Sequence, residues 1–140
     1  MKTLRSMLAV IALLVAGTAA NAHVKTIGGN ATTDDAINTY ISAITSGKTS
    51  NLDKELDDNM KFSVHRGDNV NSINKDELLD NLKDTGASQP LSTKTTSLQD
   101  DDGIAKIKVE FIYDGFMRTD VVTLNKSTGW MITNVDSTTK

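Results

Sequence analysis

The stretch Ile104-Ala-Lys-Ile-Lys-Val-Glu-Phe-Ile-Tyr113, Asp114-Gly115, Phe116-Met-Arg-Thr-Asp-Val-Val-Thr-Leu124 decides the fold, together with Ser127-Thr128-Gly129 and Trp130-Met-Ile-Thr-Asn-Val135. Three runs rich in β-branched and aromatic residues are separated by Gly-containing turns, which predicts three consecutive antiparallel strands. In the first run, Ala105, Ile107, Val109, Phe111 and Tyr113 fall on one face, and Lys106, Lys108 and Glu110 on the other. The alternation predicts a sheet with one face packed on a core.

Upstream, Leu91 to Gln99 is rich in Ser and Thr and reads as extended, turned into Ile104 by Asp101-Asp102-Gly103. Asn74 with Glu77 has capping-box spacing and opens a helix carrying Leu78, Leu79 and Leu82, closed by Gly86 and Pro90. Met60, Phe62 and Val64 alternate with Lys61, Ser63 and His65, a strand ending at the turn Arg66-Gly67-Asp68-Asn69, with Val70 to Ile73 as a short return. Ser50 with Asp53 suggests a weak cap on a short helix bearing Leu52 and Leu56, stopped before the acidic Asp57-Asp58. A longer helix is expected from Thr33, with Asp34 and Asp35 at its positive end and an apolar face of Ala36, Ile37, Tyr40, Ile41 and Ile44. Gly47 stands where a left-handed residue would end it. Grouped helices followed by a run of strands predict an α+β domain, with helices on one face of a curved antiparallel sheet.

The first 22 residues have a different character. Lys2 and Arg5 precede the apolar run Leu8 to Ala16, and Ala20-Asn21-Ala22 has the small-x-small pattern of a signal-peptidase site. Residues 1–22 are expected to be a signal peptide, residues 23–32 a flexible leader and residues 33–140 a single domain, in a periplasmic or secreted protein. A mature chain of about 118 residues starting at His23 would show in the mass of protein from the cell envelope. The chain carries a formal charge of −3. Without Lys2 and Arg5 thirteen Lys+Arg face eighteen Asp+Glu, so the balance becomes −5. With no basic stripe, nucleic acid and, once the signal is cleaved, membrane are poor partners. There is no cysteine, so an exported domain must hold together by burial, or by dimerisation, without disulfides.

The element order, with Tyr40-Ile41 in the first helix and Gly47 after it, resembles the NTF2-like superfamily of cone-shaped α+β domains. Within it the chain is similar to the small bacterial proteins called lumazine-binding or SnoaL-like. The residues that carry the likeness are Ala105-Lys106-Ile107-Lys108-Val109, Thr119-Asp120-Val121-Val122-Thr123-Leu124 and Gly129-Trp130-Met131-Ile132. The resemblance implies a pocket between the concave sheet face and the helices. It leaves the function open, since such domains include acid/base enzymes, binders and dimerisation modules.

Several residues could carry chemistry. Arg118 and Asp120 share a strand face with Phe116, Val122 and Leu124. A carboxylate there needs a partner, and Arg118 is the nearest candidate. The pair reads either as a salt bridge at the sheet rim or dimer interface, or as a pocket base with Arg118 gripping an anionic ligand. Tyr40 and Tyr113 suit a pocket wall or a core, and Trp130 a core plug or a stacking platform. His65 sits on the polar strand face beside a turn, where a solvated role competes with that of a base. Asp100-Asp101-Asp102-Gly103 lacks the ligand pattern of a calcium loop. No zinc cluster, phosphate loop or nucleophile elbow is present in the sequence. The expected function is cofactor-free binding of a small apolar or aromatic ligand by a domain that dimerises through its sheet. The alternatives are an isomerase- or dehydratase-type enzyme using Asp120 or His65, or a purely structural dimerisation domain.

Overall fold

The structure is a computed structural model that describes residues 32–126 and 129–140. The expected signal peptide, the expected leader apart from Thr32, and Ser127-Thr128 lie outside the described residues. Helix α1 (Thr33–Ser46) starts where Thr32 accepts a hydrogen bond from the Asp35 backbone N–H at 3.1 Å, one of the orphan donors of a first turn. It ends at Gly47, whose φ of 72° is left-handed. A Cβ there would lie 3.0 Å from the Gly86 carbonyl carbon, so glycine is needed both for the conformation and for the close approach.

Helix α2 (Ser50–Glu55) runs directly into strand β1 (Leu56–Arg66). Here the sequence reading is corrected twice. Ser50 is the first helical residue, Thr49 stands at the cap position, and no side chain caps the helix. Leu56 opens the strand rather than closing the helix, four residues before Met60, with a bulge between Leu56 and Lys61. Asp58 of the acidic pair meets Lys75 at 3.3 Å, and Asp53 meets the same ammonium at 3.1 Å. The acidic stretch is thereby tied to the start of helix α3 (Lys75–Thr85). That helix has the reciprocal Asn74–Glu77 capping box that its sequence announces. Between them lies the short strand β2 (Asn69–Ile73), turned at Gly67.

Strands β3 (Ser92–Asp101), β4 (Ile104–Tyr113), β5 (Phe116–Lys126) and β6 (Trp130–Thr139) follow as a meander. The first two turns, Asp102-Gly103 and Asp114-Gly115, are two-residue loops whose second residue is a glycine at positive φ, a conformation that glycine adopts without the steric cost of a Cβ. The six-stranded sheet has the order β2-β1-β6-β5-β4-β3. It is mixed, not wholly antiparallel as expected, because β1 pairs in parallel with β6. The register shifts in β1, β3 and along β5–β6 bend the sheet around the helices.

One sheet face carries the core. Phe62, Val135, Val122 and Ile107 form a row across four strands, and all are buried. Ala36, Ile37, Tyr40, Ala43 and Ile44 of α1, Leu52 of α2, and Leu78 and Leu79 of α3 close over it. The face assignment of Ala105, Ile107, Val109 and Phe111 is borne out, with Tyr113 partly buried at the strand end.

Candidate functional site

Along β5 the core-facing side chains change character residue by residue. Leu124 and Val122 are apolar and buried, Asp120 and Arg118 are charged, and Phe116 at the turn is half exposed. Asp120 lies in a cross-strand row with Val109 and Ser137, under α1. Its side chain has no solvent exposure, so both carboxylate oxygens must find donors inside. They do: Arg118 Nε donates to Oδ1 at 2.9 Å, Arg118 Nη2 to Oδ2 at 2.7 Å, and the Tyr40 hydroxyl to Oδ2 at 2.6 Å. Arg118 Nη2 is also 3.4 Å from the Tyr40 oxygen. The guanidinium carbon sits 5.7 Å from the Phe62 ring centroid and 5.6 Å from that of Phe111, two cation–π contacts that suit a planar cation leaving water.

Burial pushes the Tyr40 hydroxyl well above the ordinary tyrosine range, and the adjacent Asp120 charge pushes it further. For Arg118, burial opposes the charge, but Tyr40 and Asp120 together outweigh it and hold the guanidinium protonated. The Tyr40 shift has a consequence for stability. Above pH 10 the unfolded chain releases the Tyr40 proton while the folded chain keeps it, so the folded state is the one binding more protons. Its contribution is complete below the unfolded value of 10.0 and is lost as pH rises past it, by about 1.4 kcal/mol per pH unit. Chemical denaturation of wild type and Tyr40→Phe between pH 9 and 11 should show that extra slope in wild type alone. Equal slopes would mean that Tyr40 ionises in the fold as freely as in the unfolded chain.

The salt-bridge reading of Arg118 and Asp120 needs correction in its place. The pair is an ion pair, but an interior one rather than one at a rim, because β5 lies between β4 and β6 and Tyr40 covers Asp120 from above. Tyr40, Arg118 and Asp120 therefore form one cluster. Tyr113 stands toward the Asp114-Gly115 turn, stacked on Phe116 with centroids 4.7 Å apart and planes inclined by 12°. The Tyr113 hydroxyl donates to the Ser88 carbonyl at 3.4 Å and lies 3.3 Å from the Ser88 hydroxyl. Trp130 is not part of the cluster. It pairs with Lys126 at the opposite end of β5 from Arg118, with the Lys126 ammonium 6.0 Å from its ring. His65 faces away from the helices and pairs with Asp136 at 2.9 Å, so it is remote from the core cluster. Phe62, Phe111 and Phe116 escaped the sequence reading as site residues. The signal that could have found Tyr40 as a partner is satisfiability: a buried carboxylate accepts more bonds than one guanidinium edge supplies.

Two recesses open elsewhere. One, of about 500 Å³, runs along α1 past Asp35, Asn38, Ser42 and Lys48. Two hydroxyls in its wall, those of Thr45 and Ser46, donate to carbonyls of their own helix. The other surrounds Lys75, already held by Asp53 and Asp58. Neither includes a residue of the β5 cluster.

No protein-family model matches the chain, and no curated protein matches it. Solved structures share its fold. An NTF2-like protein of unknown function from Silicibacter pomeroyi DSS-3 is 18% identical, with a TM-score of 0.63 over 76% of this chain and 92% of that one. An NTF2-like protein of unknown function from Methylobacillus flagellatus KT is 19% identical, with a TM-score of 0.59 over 82% and 99%. A third, from Shewanella baltica OS155, is 18% identical with a TM-score of 0.60 over 76% and 89%. At these identities the likeness speaks for the fold alone.

Proposed function

We propose that this chain, which has the NTF2-like fold, is an exported, non-catalytic domain that binds a small apolar or aromatic molecule at the mouth formed by Tyr113, Phe116 and Arg118. The observation that carries the reading is the stacked Tyr113–Phe116 pair. It leaves Phe116 46% exposed at the end of a strand whose next core-facing residue is Arg118. An exposed aromatic platform beside a partly open guanidinium is a recognition surface with little other reason to stay uncovered. Catalysis by Asp120 is disfavoured by its partners. A base needs a free oxygen within reach of a substrate proton, and both oxygens of this fully buried carboxylate are engaged.

Ethylbenzene is a sufficient probe of the platform. In an amide chemical-shift titration it should perturb residues around Tyr113 and Phe116. Phe116→Ala should weaken that binding about tenfold or more with little change in melting, since the ring is half exposed and makes few core contacts. Perturbations centred on another surface, or unchanged binding by the variant, would remove the proposal.

A further inference from the structure

Resting on that binding reading, we infer that the mouth selects neutral planar molecules bearing a carbonyl oxygen, which accepts a hydrogen bond from Arg118 Nη1, and discriminates against carboxylates. The argument starts from how the guanidinium is already used. Nε and Nη2 both donate to Asp120, and Nη2 also lies near the Tyr40 oxygen. Nη1 has no hydrogen-bond partner among the described residues. It is not sealed in either, because no atom of Arg118 is among the buried, unsatisfied ones and 23% of its side chain reaches solvent. The Nη1 group is thus without a partner among the described residues and reachable from solvent, on the core-facing strand position next to that of Phe116.

Charge decides which acceptor suits it. Arg118 and Asp120 together are neutral. An incoming carboxylate would give up its hydration for a cation already compensated, and would feel Asp120 across the same guanidinium. It could reach only the two N–H groups of Nη1, because the Nε/Nη2 edge belongs to Asp120 and Nη2 also meets the Tyr40 oxygen, so it would lack the two-nitrogen edge on which strong arginine–carboxylate recognition depends. A ketone, ester or amide oxygen meets none of these penalties, because one N–H satisfies it. The Phe116 ring, stacked on Tyr113 on one side only, sets the requirement for a flat body.

Acetophenone, benzoate and ethylbenzene have nearly the same shape and differ in the group that would reach Nη1. Binding of each to the wild-type chain, followed by amide and arginine side-chain shifts, separates the outcomes. The inference expects acetophenone to bind about tenfold more tightly than either of the others, with the Arg118 Nε resonance shifting for acetophenone alone. Benzoate binding as tightly as acetophenone would overturn it, showing an anion site. Equal binding of acetophenone and ethylbenzene would overturn it while leaving the aromatic platform intact. Failure of all three to perturb Tyr113 and Phe116 would remove the platform as well. In the variant Tyr40→Phe, Arg118→Met, Asp120→Leu, acetophenone should fall to the affinity of ethylbenzene. A retained preference there would exclude Nη1 as the donor.

Discussion

Asp120→Asn is expected to destabilise the fold by about 3–5 kcal/mol, the usual cost of removing one partner from a buried ion pair. The amide could still accept one bond through its oxygen. Its NH2 group, however, would meet an Arg118 N–H in either orientation, Nε in place of Oδ1 or Nη2 in place of Oδ2, where the carboxylate now accepts from both. Arg118 would also keep its charge, with 23% of its side chain exposed and no anion beside it. Replacing Arg118 by Met and Asp120 by Leu together removes both charges but strands the Tyr40 hydroxyl, which is fully buried. Adding Tyr40→Phe removes that last polar group. The triple variant should recover most of the loss and could exceed wild type, as apolar replacements of buried ionic clusters often do. Urea titration of the single, double and triple variants tests this ordering. An Asp120→Asn protein as stable as wild type, or more so, would instead mark Asp120 as a strained group retained for chemistry, and would bring the enzyme reading forward.

Phe111→Ala should cost about 3–5 kcal/mol in the same titration. Phe111 has no solvent exposure and lies opposite Arg118 on the neighbouring strand. Truncation removes a large apolar contact near the hairpin end of the β4–β5 ladder and also one of the two rings flanking the guanidinium. The cavity would adjoin a charged group, so water is the expected occupant, and the loss should exceed that of a comparable truncation at the partly buried Leu82. A cost below about 1 kcal/mol would mean that this strand face does not carry the core.

Much of the architecture follows from short stretches of sequence, because the forces that set it act within a few residues. The faces of β4 were legible since alternate side chains point to opposite sides of a strand whatever lies beyond them. The Asp114-Gly115 and Asp102-Gly103 turns, the Asn74–Glu77 box and the left-handed Gly47 are likewise local bargains between backbone geometry and neighbouring side chains. Ser50 was misread for the same reason turned around: cap spacing is a permissive local signal, and the chain entering α2 has Thr49 in a helical conformation that does not use it.

What only the tertiary structure decided is long-range. Nothing in the pattern of β1 or β6 states that they pair, or that they run parallel, since each alternates in the same way beside either kind of neighbour. Leu56 reads equally well as the last apolar residue of a helix or the first of a strand, and pairing with Ile132 chose the strand. The sequence already implied that Asp120, on an apolar face, needs a cation, and it offered Arg118 two residues away. It could not supply Tyr40, 80 residues distant, because that bond depends on where α1 crosses the sheet. Packing of its apolar face into the buried core over the sheet sets that crossing. With the hydroxyl over Asp120, Nη1 is the one Arg118 nitrogen without a hydrogen-bond partner among the described residues.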